Sequence, residues 1–176
     1  EILKSAGLDH DSNFILTSSN DVESSVKKNS FIKSVKVKKN WLLEINIYVE
    51  EYKPFFIRED TNTIVTSSGD EINNSEDYNL AIPSLINYVP DTKYKDLIKK
   101  MNRIDYSLIK KISQIMYSPT KYDEDRFILY MNDSNRVYIN LPKFKSFNKY
   151  DEMVTKFEGK TGRLYLDSGN YFEIDK

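Results

Sequence analysis

The sequence predicts an α+β protein in two parts. A small unit with two helices on a short sheet is followed by a larger strand-rich unit, with an antiparallel or mixed sheet and inserted helices. Three observations carry this. Residues 31–51, FIKSVKVKKNWLLEINIYVEE, alternate apolar and polar side chains on both sides of a basic hinge. That period of two belongs to a sheet with one face buried and one solvated. Lys53-Pro54 then breaks the pattern, because proline cannot donate to a sheet ladder. Finally, residues 126–141 alternate again around Asn132-Asp133-Ser134-Asn135, a run of turn formers that reads as a hairpin.

In chain order, Ile2, Leu3, Ala6 and Leu8 suit a short helix ended by Gly7. Residues 13–16 are an apolar step. Thr17, Ser18, Ser19 and Asn20 all favour a helix N-cap, and Asp21 and Glu23 suit the positive end of the dipole. Val22 and Val26 share one face, and this helix is expected to end near Asn29. Phe31, Ile32, Val35 and Val37 form a strand, and Lys39-Asn40 a turn. Leu43, Ile45, Ile47 and Val49 alternate with Glu44, Asn46, Tyr48 and Glu50 in the return strand. Lys36, Lys38 and Lys39 fall on the solvated side or the turn, a docking surface for a partner. Trp41, the single tryptophan, is expected to be a packing anchor at the hinge.

Beyond Pro54, strands are expected at 55–57 and 64–66, with a turn at Ser67-Ser68-Gly69-Asp70 and a short return at Glu71-Ile72. Residues 73–79 read as a polar loop. Pro83 makes 80–85 a sheet edge or a strand end. Tyr94, Leu97, Ile98 and Met101 give residues 91–101 helical spacing. A second helix is expected over 105–112, then a strand at 113–118. Strands at 126–131 and 137–141 are followed by a helix at 147–157 and a turn between Gly159 and Gly162. The last strands are 163–166 and 170–174, joined through Ser168-Gly169. The boundary predicted between domains gives residues 1–53 and 54–176.

Composition excludes several classes. With 39% hydrophobic and 30% charged residues the chain is neither disordered nor membrane-embedded in composition. A formal net charge of -1, with acidic residues among the lysines, provides no global attraction to nucleic acid or to an anionic bilayer. The absence of cysteine removes thiol chemistry and cysteine-bound zinc. His10, the single histidine, sits in Asp9-His10-Asp11. Three consecutive residues cannot converge on one ion, so the trio reads as a solvated loop. Glu50 and Glu51 are strand neighbours that face opposite ways. Asp123-Glu124-Asp125 is a charged loop beside the hairpin. There is no glycine-rich phosphate loop, and the 13 tyrosines are scattered at sheet positions rather than set in a basic patch. An enzyme using the acidic clusters would need a nucleophile, base and electrophile in one pocket, and the local geometry supplies none. No catalytic residue, metal or cofactor is expected. Strand edges without a catalytic constellation favour a binding module.

The order of motifs resembles a known family. Ala6-Gly7-Leu8, Asn13-Phe14-Ile15, a helix, residues 29–41 (NSFIKSVKVKKNW), residues 43–51 (LEINIYVEE) and Lys53-Pro54 are similar to the POTRA domain of the DivIB/FtsQ bacterial cell-division proteins. The Ser68-Gly69 turn, Ile82-Pro83-Ser84-Leu85, the 126–141 hairpin and residues 164–172 (LYLDSGNYF) resemble that family's β domain. One departure is Leu42, where the family usually has proline after the tryptophan. The resemblance implies a non-enzymatic scaffold: the extracytoplasmic region of a single-pass cell-membrane protein at the division septum. A transmembrane helix is expected upstream of Glu1. The implied partners are divisome proteins of the FtsL and DivIC/FtsB type, with no role for nucleic acid. Family members receive a partner by strand addition at the end of the β domain. Carried onto this chain, the candidates are Leu166, Asp167, Ser168, Gly169, Tyr171, Phe172 and Glu173. Because strand neighbours alternate, one of Tyr171 and Phe172 is expected to pack inward while the other anchors a partner. The alternative is a POTRA-containing secretion or outer-membrane assembly protein, but residues 55–176 do not repeat the helix-helix-strand-strand order of tandem POTRA units.

Overall fold

The computed structural model describes residues 18–42, 44–74 and 80–175. The helix predicted over 1–8, the apolar step at 13–16, His10 and Leu43 lie outside them. The chain divides into two compact units, Glu1–Lys53 and Pro54–Lys176.

In the first unit, helix α1 (Ser19–Val26) begins at the predicted cap: the Ser18 hydroxyl accepts the Asp21 N–H at 3.4 Å. It ends at Val26, short of Asn29. Asn29 instead turns the chain into the next strand, accepting the Phe31 N–H on Oδ1 and the Ile32 N–H on its carbonyl. Strands β1 (Ile32–Lys39) and β2 (Ile45–Glu51) pair antiparallel. Their register sets Val35 opposite Val49 and Val37 opposite Ile47, while Lys36 faces Tyr48 and Lys38 faces Asn46. Val22, Val26, Ile32 and Val37 form the core, and Val35, Ile45, Ile47 and Val49 pack half-buried against it. The Glu23 carboxylate accepts the Val37 N–H at 2.7 Å and ties the helix to the strand.

Trp41 is not a packing anchor. Asn40 holds the hairpin turn, its Oδ1 accepting the Leu42 and Glu44 N–H groups at 3.0 Å each while its Nδ2 donates to Glu44. With the turn closed by this amide, the indole projects outward and is 88% exposed.

The second unit contains β3 (Pro54–Arg58), β4 (Thr63–Thr66), β5 (Glu71–Asn73), β6 (Ser84–Leu85), α2 (Asp91–Met101) and α3 (Tyr106–Ile109). It continues with β7 (Ile112–Tyr117), β8 (Arg126–Met131), β9 (Arg136–Asn140), a 3-10 helix (Leu141–Lys149), α4 (Tyr150–Val154), a 3-10 turn (Thr155–Phe157), β10 (Gly162–Tyr165) and β11 (Tyr171–Ile174). Among the described residues the strands form one mixed sheet, in the order β11-β10-β9-β8-β7-β6-β3-β4-β5. The pairs β9–β10, β3–β6 and β6–β7 are parallel and the rest antiparallel. The α+β class and the large mixed sheet with inserted helices are as the sequence predicts. Leu97, Ile98 and Met101 of α2, with Phe144, Phe147 and Tyr150, pack against Phe56, Phe127, Leu129, Val137, Ile139 and Leu164 of the sheet. Each large side chain so buried contributes about 1.5–3 kcal/mol.

Several local expectations are corrected. Of the two readings of 80–85, the edge fails, because β6 lies between β3 and β7, and the strand end holds. Pro83 precedes the strand, so its missing N–H breaks no ladder, and its carbonyl still accepts the Ile57 N–H at 2.9 Å. The helix predicted over 105–112 is the single turn of α3. Ile112 already pairs with Met131, and the Asn132 N–H bonds to the Lys111 carbonyl, so sheet pairing captures these residues. The helix predicted over 147–157 starts earlier, as 3-10 helix from Leu141. Asn140 caps it by accepting the Lys143 N–H, and Pro142 occupies its first turn. The turn after β4 needs its glycine, since Gly69 sits at φ 88.

Candidate functional site

The terminal hairpin β10–β11 builds the candidate site. Register pairs Arg163 with Glu173 and Tyr165 with Tyr171, and among the described residues β11 ends the sheet. The Asp175 N–H donates to the Thr161 carbonyl at 3.0 Å, so odd-numbered residues turn their backbone groups toward β10. By alternation, the N–H and C=O groups of Phe172 and Ile174 face the open edge. Gly162 lets the two strands meet: a Cβ there would lie 2.1 Å from the Glu173 carbonyl oxygen. Its N–H donates to the buried Asn135 Oδ1 at 2.8 Å.

Side chains divide the hairpin into two faces. On one, Tyr138, Tyr165 and Tyr171 stack across three strands, with centroids 4.7 and 4.6 Å apart and planes within 14° of parallel. The Arg126 guanidinium continues the stack, 4.7 Å from the Tyr138 centroid. Tyr171 closes it at the edge and is 52% exposed. Charged pairs border the row. Arg136 meets Asp175 at 2.8 Å, Arg163 meets Glu173 at 3.5 Å, and the Tyr165 hydroxyl donates to Glu173 at 3.2 Å. Burial pushes the Tyr165 hydroxyl up from its ordinary range, and the bond to Glu173 adds to this. On the other face, Phe172 lies on Phe157, centroids 3.8 Å apart, against the core.

The seven predicted residues therefore occupy different environments. Tyr171 and Glu173 are exposed beside the edge, and Phe172 packs inward while its backbone faces out. Ser168 and Gly169 are exposed in the connecting turn. The left-handed residue there is Asn170, at φ 58, rather than Gly169. Leu166 is fully buried. Asp167 is held by Arg126 Nε at 2.9 Å with 9% of its side chain exposed, and its carbonyl accepts from Lys143 Nζ. Leu166 and Asp167 thus hold the hairpin in place rather than offering side chains to a partner. Ile174, with edge-facing backbone and a 49% exposed side chain, was not among the candidates, nor were Tyr138, Tyr165 and Arg126. The signal for them lies in the spacings Arg136-x-Tyr138, Arg163-x-Tyr165 and Tyr171-x-Glu173-x-Asp175, which align only once the strands are paired.

Elsewhere the polar clusters are engaged locally. Asp123 accepts the Asp125 N–H and the Asn140 amide, and Asp125 pairs with Lys93. Glu50 is bound by Lys33 and Ser34, and the Lys33 bond holds its carboxyl below the usual range. A cleft of about 280 Å³ is lined by Arg58, Asp60, Glu71, Asn87, Tyr88 and Tyr94 among others, and its guanidinium is bound by both carboxylates. Among the described residues no three His, Cys, Asp or Glu side chains converge as a metal site.

Comparison with known proteins bears on the family of the chain. Residues 1–52 match the model of the POTRA domain, FtsQ-type. Cell division protein DivIB of Bacillus subtilis is 30% identical over 155 residues, spanning 86% of this chain and 59% of that protein. Cell division protein DivIB of Bacillus cereus is 28% identical over 177 residues, spanning 97% and 69%. The chain therefore covers between about three fifths and seven tenths of the length of these relatives. A solved structure of the major extracytoplasmic domain of DivIB from Geobacillus stearothermophilus, in its trans isomer, aligns with 55% of this chain and 85% of that one, at 21% identity and a TM-score of 0.47. The family match at the N-terminus and the similarity to DivIB proteins along most of this chain agree with the ordered motifs quoted from both units: the chain belongs to the DivIB/FtsQ family.

Proposed function

We propose that this chain is the non-enzymatic, extracytoplasmic scaffold region of a cell-division protein, and that it receives a divisome partner as an added strand on β11. Residues 1–53 serve as its POTRA domain and residues 54–176 as its partner-binding β domain. The protein sits in the cell membrane at the septum through a single upstream span, and its partners are of the FtsL and DivIC/FtsB type. The observation that carries the reading is the open edge of β11, where Phe172 and Ile174 present backbone donors and acceptors beside the exposed Tyr171. Main-chain bonds would supply affinity, and the flanking side chains specificity.

The test uses proline. Ile174→Pro removes an N–H that faces the edge and leaves every bond to β10 in place. Affinity for the extracytoplasmic part of a DivIC-type partner, measured by calorimetric titration, should fall roughly tenfold with an unchanged melting temperature. Truncation after Asp167 should abolish binding. Wild-type affinity in both variants would remove the strand-addition site.

A further inference from the structure

The tip of the β1–β2 hairpin has a chemistry that the strand-addition site does not use. Trp41 is 88% exposed and its neighbour Leu42 55%, adjacent in the turn between the two strands. Behind them on the solvated face lie Lys36 and Lys38, opposite Tyr48 and Asn46, whereas Lys39, opposite Ile45, falls on the face of Val35 and Val37 and leaves the expected three-lysine surface with two members. Lys38 Nζ sits 5.7 Å from the centroid of the Tyr48 ring, itself 56% exposed. The nearest acidic side chain of the turn, Glu44, is bound by the Asn40 amide. Farther along the same face, Glu50 is neutralised by Lys33.

We propose that this tip docks on an anionic bilayer surface, with Trp41 and Leu42 entering the headgroup region and Lys36 and Lys38 facing lipid phosphates. Three arguments favour lipid over a protein surface. A stable protein interface takes about 800 Å² from each partner, whereas a Trp side chain supplies roughly 150–250 Å² and this tip carries one Trp and one Leu. Lysine is depleted in protein interfaces, where arginine is favoured, and the cations here are all lysines. Tryptophan is an interfacial residue of bilayers, and lysines near an anionic leaflet each strengthen attachment. The whole chain carries a formal charge of -1, so attraction to anionic lipid needs a local cluster of this kind rather than a global field. The inference rests on the reading that this region works beside a cell membrane, and it is independent of the β11 edge.

Trp41 is the single tryptophan, so its fluorescence reports the tip alone. The 176-residue chain is titrated with vesicles of phosphatidylcholine, with and without phosphatidylglycerol. Anionic vesicles should shift the emission to the blue and shield it from acrylamide, and pure phosphatidylcholine should do neither. Lys36→Glu with Lys38→Glu should weaken vesicle co-sedimentation, roughly fivefold for each lysine removed and more for the reversal. Trp41→Ala and Leu42→Ser should each weaken it with unchanged circular dichroism. Emission that stays that of a solvated indole on anionic vesicles would overturn the proposal and leave an acidic protein as the occupant. So would a shift of equal size on neutral vesicles, or wild-type co-sedimentation of the lysine and tryptophan variants. Failure here with an intact response to Ile174→Pro would sink the lipid contact and spare the partner site. The converse pair of results would do the opposite.

Discussion

Replacing Asn135 with alanine tests whether the β11 edge is clamped from beneath. Asn135 is 3% exposed. Its Oδ1 accepts the Gly162 N–H at 2.8 Å, and its Nδ2 donates to the Tyr150 hydroxyl at 3.2 Å. That hydroxyl donates in turn to the Asp133 carboxylate at 2.7 Å. Burial pushes the Tyr150 hydroxyl well above the ordinary tyrosine range, and the Asp133 bond pushes it further, so the phenol stays protonated and the chain of donors keeps its direction. Asn135→Ala leaves the Gly162 N–H buried without an acceptor, which costs about 1–3 kcal/mol, and the lost packing brings the total to roughly 2–4 kcal/mol. Tyr150→Phe leaves the Asn135–Gly162 bond intact and should cost less, about 1–2 kcal/mol. Because Trp41 lies in the first unit, urea unfolding of the second has to be followed by circular dichroism. Hydrogen exchange at residues 162–165 and 171–174 should accelerate in Asn135→Ala. A loss under about 1 kcal/mol, or Tyr150→Phe proving the costlier change, would refute the clamp.

Gly162→Ala should hit the edge harder than the fold. The new Cβ meets the Glu173 carbonyl at 2.1 Å and the Phe172 ring at 2.9 Å, so β11 must move, and titration with a DivIC-type partner should show at least a tenfold loss. Asp167→Ala strips Arg126 of a carboxylate with 9% side-chain exposure and should cost about 1.5–3 kcal/mol in urea unfolding, the range of a charged hydrogen bond, while Ser168→Ala should stay within about 0.5 kcal/mol. Asp60 is held below the usual carboxylate range, chiefly by its hydrogen bond from Arg58. A lowered carboxylate stabilises the fold above its unfolded value and loses that contribution as the pH falls through its folded value. Unfolding midpoints should therefore drop from about pH 4 downward. The Arg58→Leu variant should show a shallower drop, by under about 1 kcal/mol since Asp60 is half exposed. An unchanged slope would remove the pair from the acid response.

Local rules located most elements because those elements depend on local patterns. The α1 cap and the β1–β2 alternation are decided within a few residues, and the structure follows them. The failures share another cause. Ile112 has helical neighbours but pairs with Met131, and Leu141 reads as strand but bonds through its N–H to the Asp125 carbonyl and enters a 3-10 helix capped by Asn140. In both cases a partner distant in sequence overrides propensity. Trp41 fails differently. A large aromatic beside a hinge ordinarily packs, and nothing in its flanking residues announces that Asn40 alone closes the turn.

The edge site shows how far alternation reaches. A period of two tells which side chains share a face, and on that basis Tyr171 and Phe172 are placed on opposite sides; the structure adds that Phe172 is the inward one. The period is silent about the second alternation of a strand, the in-plane direction of its backbone groups. That direction depends on which neighbour β11 pairs with and in what register, hence on Thr161, Gly162 and the Asn135 side chain beneath them. Ile174 escapes a reading of side chains because its candidate contribution is an N–H and a C=O. Leu166 and Asp167 are drawn in for the mirror-image reason: they sit in the right segment, yet Leu166 is fully buried and Asp167 is locked to Arg126. A strand-addition surface is a property of main-chain orientation, so substitutions that change a side chain at β11 probe specificity, and only those that change a backbone donor, such as Ile174→Pro, probe the surface itself.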